Sequence, residues 1–115
     1  MEQDNSIMID KIKFVQDTLY VINGKWKLPI LISMYYGNKR FRDIHRSIPK
    51  ITTRVLSKEL KELEANQLIK RNVHDTFPVL IQYTITDYSD TLHPVVDAMW
   101  KWGEGHRKRI TGKIK

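Results

Sequence analysis

The 115-residue sequence predicts a mainly α-helical domain of the α+β class, with five helices and one β-hairpin. Apolar residues recur at three- and four-residue spacing through most of the chain, which is typical of helices with one buried face. Two of these helices, near the middle of the chain, are separated by only a few residues around Pro49. Between residues 69 and 86, two runs rich in β-branched and aromatic residues follow each other, which is the pattern of a hairpin. The length suits one domain, residues 1–115, with a single modest core.

The first two helices are predicted over residues 7–22 and 25–36. The apolar positions of the first are Ile12, Val15, Leu19 and Ile22. Asn23 and Gly24 end it, because both residues tolerate the left-handed conformation that closes a helix. The second, KWKLPILISMYY, is the most hydrophobic run in the chain and is expected to be the central buried helix. Pro29 is compatible with its first turn, where a missing N–H is not needed.

The middle of the chain, residues 41–64, is predicted to form two closely connected helices. Phe41, Ile44 and Ile48 form one apolar stripe, and Pro49 ends that helix by disfavouring helical geometry at the residue before it. Thr52 or Thr53 can then cap a second helix by accepting its free N–H groups. This is the helix-turn-helix arrangement, whose second helix enters the major groove of DNA.

The second helix of this unit has two distinct faces. Its core face holds Leu56, Leu60 and Leu63. Its outer face holds a polar strip with three cations: Arg54, Ser57, Lys58 and Lys61. Charged outer faces are common on helices, and many helix-turn-helix pairs are only packing units, so this stretch alone does not decide the function.

The hairpin is predicted from residues 69–74 and 79–86, joined by residues 75–78. Pro78 limits pairing near the tip, because proline has no N–H to donate to a ladder. A hairpin directly after a helix-turn-helix is a wing. The predicted fold is therefore a winged helix-turn-helix with a two-stranded wing and an added helix at each end.

The last helix is predicted over residues 88–102, with Asp87 as its cap and Gly103 and Gly105 as its end. Pro94 leaves two alternatives, a kink or a start later than Asp87. Its apolar stripe is Leu92, Val95, Val96, Met99, Trp100 and Trp102. This stripe is too large for a small domain to cover, so we expect it to pack against the first helix and a second copy of the chain. Residues 1–6 and 104–115 are expected to be flexible.

The net charge of +7 is unevenly distributed. Residues 38–71 carry ten Lys/Arg against four Asp/Glu, and residues 101–115 carry six against one. Residues 1–24 and 72–100 are net negative. The excess positive charge on the helix-turn-helix and the tail is the pattern expected of a phosphate-binding surface, although a basic surface of this size also serves solubility.

Several stretches together resemble the HxlR family of bacterial transcription regulators. They are NGKWKLPIL at 23–31, FRDIHRSIP at 41–49, ITTRVLSKELKELEANQLIKR at 51–71, and Tyr83 with Thr86. The similarity runs from about residue 20 to about residue 103. It implies a cytoplasmic homodimer that binds double-stranded DNA. The recognition helix, about 52–66, would enter the major groove, the wing, about 69–84, would lie along the backbone or minor groove, and the terminal helices would form the dimer interface.

The chain departs from the family pattern at three points. Asn23 stands where a second glycine is common, and Ser89 replaces a glycine that is usual after the second strand, so the junction between hairpin and last helix is expected to differ. Several relatives carry an oxidant- or electrophile-sensing cysteine near the N-terminus. This chain has no cysteine, which excludes a thiol switch here, a disulfide framework and a thiolate metal site.

The residues expected to contact DNA fall into three groups. On the recognition helix they are Thr52, Thr53, Arg54, Ser57, Lys58 and Lys61. Arg54 is the best candidate for bidentate contact with guanine, and the two threonines lie at a helix N-terminus, which attracts phosphate. Phosphate contacts that position the protein are expected from Lys39, Arg40, Arg42 and Arg46, with Lys25 and Lys27 as further candidates. The wing candidates are Lys70, Arg71, His74 and Thr76, with Arg71 equally suited to a cross-strand role.

The expected dimer interface consists of apolar residues of the two terminal helices: Ile12, Val15, Leu19, Leu92, Val96, Met99 and Trp100. An alternative function uses the same helices, with the winged helix as a scaffold for protein interaction without specific DNA binding. Trp26, Trp100 and Trp102 are expected in the core or the dimer seam rather than in a ligand cage.

Other classes of function find little support. There is no glycine-rich phosphate loop, no His-Glu-x-x-His and no cysteine nucleophile, so we expect no enzyme and no cofactor. Asp90, His93 and Asp97 have helical spacing, but Pro94 disturbs it and no metal site is expected. No apolar run is long enough to span a membrane, and the acids of MEQDNS argue against a signal peptide. A small-molecule effector site between the wing and the terminal helices stays open, with no residue assigned to it.

Overall fold

The computed structural model describes the backbone of residues 2–112 and the side chains of residues 5–112. The elements are α1 Glu2–Val21, α2 Lys27–Tyr35, α3 Phe41–Ser47, α4 Thr53–Ala65, β1 Ile69–His74, β2 Leu80–Ile85, α5 Asp87–Asp90 and α6 His93–Thr111. Helices α2 to α4 and the hairpin form a winged helix-turn-helix, and α1 and α6 are added at its ends. The predicted fold is confirmed.

The core lies between α2, α3, α4 and the start of β1. Its buried residues are Ile30, Leu31, Met34, Ile44, Ile48, Ile51, Leu56, Leu60, Leu63, Leu68 and Ile69. These include the apolar stripes predicted for the two middle helices except Phe41, which is partly buried against the cluster. Burial of each large aliphatic side chain contributes about 1.5–3 kcal/mol, so this cluster stabilises the packing of α4 against α2 and α3.

A chain of hydrogen bonds fixes the end of α2 to α3. Asn38 Nδ2 donates to Ser33 Oγ over 3.0 Å, and the Ser33 and Ser47 hydroxyls share a 2.6 Å bond. Because Ser47 Oγ donates its own proton to the Ile44 carbonyl over 2.7 Å, Ser33 is the donor to Ser47. The hydroxyl of buried Ser33 is therefore satisfied, and these bonds link α3 to the end of α2.

The turn between α3 and α4 follows the predicted chemistry. Lys50 has a φ of 71°, in the left-handed region that non-glycine residues seldom adopt. Thr52, one of the two predicted caps, is the N-cap of α4, and its hydroxyl accepts the Val55 N–H over 3.1 Å. The cap stops the helix from extending backwards and sets which residue begins its outer face.

The hairpin is antiparallel, with Ile69 opposite Ile85 at its base and His74 opposite Leu80 near its tip. The Tyr83 N–H donates to the Lys39 carbonyl over 2.7 Å. This bond ties the second strand of the wing to the segment before α3, so the wing stands beside the helix-turn-helix rather than apart from it.

The boundaries of the terminal helices differ from the prediction. Asp87 is not the cap: Thr86 accepts the Ser89 N–H over 3.1 Å and begins the short helix α5. Of the two alternatives at Pro94, the later start holds, because α6 begins at His93 and places Pro94 in its first turn. The junction difference expected from Ser89 stays a prediction. Ser89 is fully buried, and its Oγ has no hydrogen-bond partner among residues 5–112.

The prediction that Gly103 and Gly105 end the last helix is wrong. Helix α6 continues through both to Thr111 and ends at Gly112, whose φ of 69° closes it. Each interior glycine weakens a helix by about 1 kcal/mol relative to alanine without breaking it, so capping rather than composition sets the end. Residues 2–6 and 104–111, predicted to be flexible, lie in helices, and their flexibility stays a prediction. The same prediction for Met1 and residues 113–115 lies outside the described residues.

Candidate nucleic-acid interface

The two faces of α4 are separated as predicted. Leu56, Leu60 and Leu63 are completely or almost completely buried. The polar strip on the other side is exposed along its whole length: Arg54, Ser57, Lys58 and Lys61. A rigid helix of 13 residues therefore presents three cations to solvent from a fixed orientation.

Ten further residues predicted to contact DNA are also exposed: Thr52, Thr53, Lys39, Arg40, Arg42, Arg46, Lys70, Arg71, His74 and Thr76. Arg40 is the N-cap residue of α3, and its neighbour Lys39 is bonded to the wing through its carbonyl. The cations of α3 and those of the wing thus lie on elements that the hydrogen-bond network holds beside each other. Exposure makes these side chains available for a ligand but does not assign one.

The side chains of the wing have contacts within the hairpin. His74 Nε2 lies 3.1 Å from Gln82 Oε1 across the hairpin, and Thr76 Oγ1 donates to the Pro78 carbonyl over 2.8 Å. Arg71 stands opposite Tyr83 in the ladder. The side chains of His74 and Thr76 would have to break or share these hydrogen bonds in order to contact a ligand.

One predicted phosphate contact is wrong. Lys27 is only 2 % exposed, and its Nζ lies 2.6 Å from Glu59 Oε1 and 2.7 Å from Glu62 Oε1. Its third N–H is directed to Asn23 Oδ1 at 3.2 Å. An ammonium has three donors, and all three are used inside the protein. Its neighbour Lys25 is exposed, with Nζ 5.0 Å from the centre of the Trp26 ring.

The Lys27 cluster joins α2 to α4. Desolvation lowers the pKa of Lys27, but hydrogen bonds and Coulombic attraction from Glu59 and Glu62 together outweigh it, so the pKa is raised above its ordinary value. The pKa of Glu62 is lowered, first by its hydrogen bond from Lys27 and then by the charges of Lys27 and Lys58. Lys27 and Glu62 are therefore both ionised near neutral pH.

Sequence reasoning missed this cluster, although one signal was present. Glu59 lies between Leu56 and Leu63 on the core face of α4, and it is 8 % exposed. A buried carboxylate requires a partner. The partner, Lys27, lies 32 residues earlier in the chain and could not be chosen without the fold.

The predicted dimer residues fall into two groups. Ile12, Val15, Leu19, Met99 and Trp100 are all between 45 and 57 % exposed. Leu92 is half-buried against the core. Val96 is 3 % exposed, so its side chain packs inside the protomer and the sequence-based assignment of Val96 to an interface is wrong. The remaining apolar residues lie uncovered on α1 and α6.

The tryptophans and the acidic side chains of α6 were considered above for a ligand cage and a metal site, and in the described structure they are not grouped as either site would require. Trp26 packs against the core, whereas Trp100 and Trp102 are exposed. His93 Nδ1 lies 3.6 Å from Asp97 Oδ2. Among the described residues, no three histidine or acidic side chains come together as metal ligands would.

A cleft of about 540 Å³ lies between α2 and α6, lined by Ile32, Tyr35, Tyr36, His93, Val96, Asp97 and Trp100. A smaller one of about 250 Å³ lies between the end of α1 and the start of α6. Neither cleft is lined by a residue of β1 or β2, so the effector site left open between the wing and the terminal helices stays without an assigned residue.

The capped, basic and exposed second helix, followed by a hairpin wing, defines a winged helix-turn-helix protein. The chain belongs to the HxlR-like helix-turn-helix family, whose model matches residues 21–111. The membership predicted from the sequence motifs is confirmed. No helix in residues 2–112 combines the length and the apolar character needed to cross a membrane.

Relatives of the chain are transcription regulators. It is 38 % identical over 98 residues to the uncharacterized HTH-type transcriptional regulator YtcD of Bacillus subtilis strain 168, which covers 85 % of this chain and 78 % of that protein. Among solved structures it is similar to the redox regulator HypR in its reduced form, with a TM-score of 0.79, 39 % identity, and coverage of 86 % and 98 % of the two chains. It is also similar to a transcriptional regulator of the MarR family from Enterococcus faecalis V583, described as putative, with a TM-score of 0.77, 30 % identity, and coverage of 90 % and 94 %.

Proposed function

We propose that this chain is a sequence-specific DNA-binding transcription regulator that acts in the cytoplasm as a homodimer. The observation that carries the proposal is the exposed basic face of α4. Its orientation is set by the Thr52 cap and by the buried leucines on the opposite face. The relatives, which are regulators with the same fold, support the same conclusion.

In this proposal α4 enters the major groove with its N-terminal half. Arg54 lies in the first turn and reads a guanine edge, where a bidentate pair discriminates between bases. The exposed cations of α3, Arg42 and Arg46, contact phosphates and set the position of the helix without reading sequence. The wing, with Arg71, lies along the adjacent backbone or minor groove.

The proposal is tested by selection from a pool of randomised duplexes, followed by titration of the selected and a scrambled duplex at two salt concentrations. We expect selected sites to contain symmetric half-sites about 10–10.5 base pairs apart, because a two-fold dimer presents two recognition helices. If no site is enriched and the protein binds both duplexes equally and with strong salt dependence, the interface is a basic surface without sequence specificity.

Replacement of Arg54 with alanine is expected to weaken binding to the selected duplex by about 1–3 kcal/mol and binding to the scrambled duplex much less. Loss of a base contact affects only the site that contains the base. The measurement is a fluorescence anisotropy titration of both duplexes. Equal losses on both would mean that Arg54 contacts phosphate only.

The homodimer is proposed from the exposed apolar residues of α1 and α6. A surface that is self-complementary under two-fold symmetry brings the same residues of both protomers together. Val15→Glu places a carboxylate in that surface and is expected to weaken the dimer tenfold or more, about 1.4 kcal/mol at least. Light scattering across a dilution series measures this shift, and Gln16→Glu on the same helix is the matched control.

The alternative function, a protein-interaction module, is favoured by one observation: the same apolar residues are uncovered in the protomer. It predicts a dimer or a partner complex that depends on Val15 and no enriched DNA site. The selection experiment therefore separates the two functions.

A further inference from the structure

The charges directly beneath the outer face of α4 are not balanced. Lys27 is neutralised by Glu59, since the two groups are 2.6 Å apart and both are almost fully buried. Glu62 is a second carboxylate on the same ammonium, at 2.7 Å. One cation faces two carboxylates, so these three groups carry one excess negative charge.

That excess charge is shared with a residue of the outer face. The second oxygen of Glu62, Oε2, lies 3.6 Å from Lys58 Nζ, one turn earlier on α4. Lys58 is 69 % exposed and Glu62 is 41 % exposed, so this pair reaches from the cluster to the surface. Lys58 forms an ion pair. The other exposed cations proposed to contact DNA form none with residues 5–112, the part of the chain whose side chains are described.

Because one oxygen of Glu62 is fastened to buried Lys27, its carboxylate cannot turn away when DNA approaches. The pKa of Glu62 is lowered by these same contacts, so the carboxylate keeps its charge at neutral pH. A phosphate that approaches Lys58 therefore meets a cation whose charge is already balanced by the Glu62 carboxylate. An ammonium with three donors can instead keep Glu62 and direct another N–H to an acceptor on a base edge.

We propose that Glu62 is a positioning residue for specificity, which withholds Lys58 from phosphates of random DNA and aims it at the base edges of a cognate site. This inference rests on the proposed function and adds a residue that does not itself contact DNA. Affinity for random DNA depends almost wholly on how many phosphates the protein neutralises. A lysine whose charge is already neutralised by Glu62 therefore lowers the affinity for random DNA more than the affinity for a cognate site.

The test is Glu62→Gln, whose amide oxygen can still accept from Lys27 while Glu59 keeps the buried charge paired. Removal of an exposed ion pair frees Lys58 at a gain of about 2- to 5-fold in affinity for a scrambled duplex. The slope of log affinity against log salt steepens by about 0.9 for each lysine released. Affinity for a selected duplex changes less than two-fold, so the ratio of the two affinities falls.

Two controls separate this role from a general effect of charge or folding. Glu64→Gln makes the same charge change on the same helix, at an exposed residue that forms no ion pair among residues 5–112. It is expected to leave the salt slope unchanged. In a Lys58→Gln background, Glu62→Gln is expected to have no further effect on DNA binding, which a double-mutant cycle measures.

Equal effects of Glu62→Gln and Glu64→Gln, or an effect that persists without Lys58, would overturn the inference and leave the proposed function intact. Elution from a heparin column extends the test to a polyanion without bases. Suppose that Glu62→Gln elutes later, that this shift depends on Lys58, and that the protein selects no DNA site. This result would support the restraint on Lys58 and overturn the proposed function. Unchanged elution and unchanged DNA binding would overturn the inference.

Discussion

Replacement of Lys27 with methionine is expected to lower the free energy of unfolding by about 3–5 kcal/mol, because removal of one partner of a buried ion pair leaves the other charge buried without compensation. The charge left behind is Glu59, whose side chain is 10 % exposed. Glu62, which is half-exposed, can turn to water once Lys27 no longer holds it, so it adds little. Urea denaturation at a fixed protein concentration measures the effect, because the proposed dimer would make apparent stability depend on concentration.

Lys25→Met is the matched control, because Lys25 is an exposed lysine two residues earlier, and its loss should change stability by less than about 0.5 kcal/mol. The double variant Lys27→Met/Glu59→Met should recover most of the lost stability, since well-packed apolar side chains often replace a buried ion pair without loss. A loss below about 1 kcal/mol in the single variant, or no recovery in the double variant, would mean that the pair does not govern the packing of α4 on α2.

The affinity for DNA is expected to fall by about 10³–10⁵-fold between roughly 50 and 200 mM salt. This follows if a dimer makes about 6–10 phosphate contacts, each of which releases a counterion when it forms. Six exposed cations per protomer remain for phosphate contacts once Arg54 and Lys58 are assigned to base edges, and the twelve of a dimer exceed this need: Lys39, Arg40, Arg42, Arg46, Lys61 and Arg71. Anisotropy titrations at four or five salt concentrations give the slope.

The double variant Arg42→Gln/Arg46→Gln tests which cations are responsible. It removes two contacts per protomer and should flatten the slope of a dimer by about 3 to 4. Lys11→Gln/Lys13→Gln removes the same charge from α1, on the side of the sequence with excess acid, and should leave the slope unchanged. Equal flattening by both variants would mean that the response reflects net charge rather than an interface on α3 and α4.

Much of the fold was predictable because the signals that set it are local. The cap at Thr52, the end of α3 before Pro49 and the antiparallel hairpin from 69 to 85 all depend on residues close together in sequence. The errors at the ends of the last helix have a local cause as well. Thr86 and Asp87 are both good caps, and interior glycines weaken a helix without ending it, so neither boundary follows from residue type alone.

The family could be recognised from the resemblance of its motifs. The two faces of α4 could be read from the chain itself, because a helical period of 3.6 residues assigns each side chain to a face before any tertiary contact forms. The sequence could not show which of the charged side chains are free of partners. Lys25 and Lys27 look alike in the sequence, yet one lies in solvent and the other is enclosed by carboxylates 32 and 35 residues away. Lys58 likewise shares its charge with a carboxylate that is anchored through α2. Solvation and pairing of charges depend on which elements pack together, and only the folded chain brings those elements into contact.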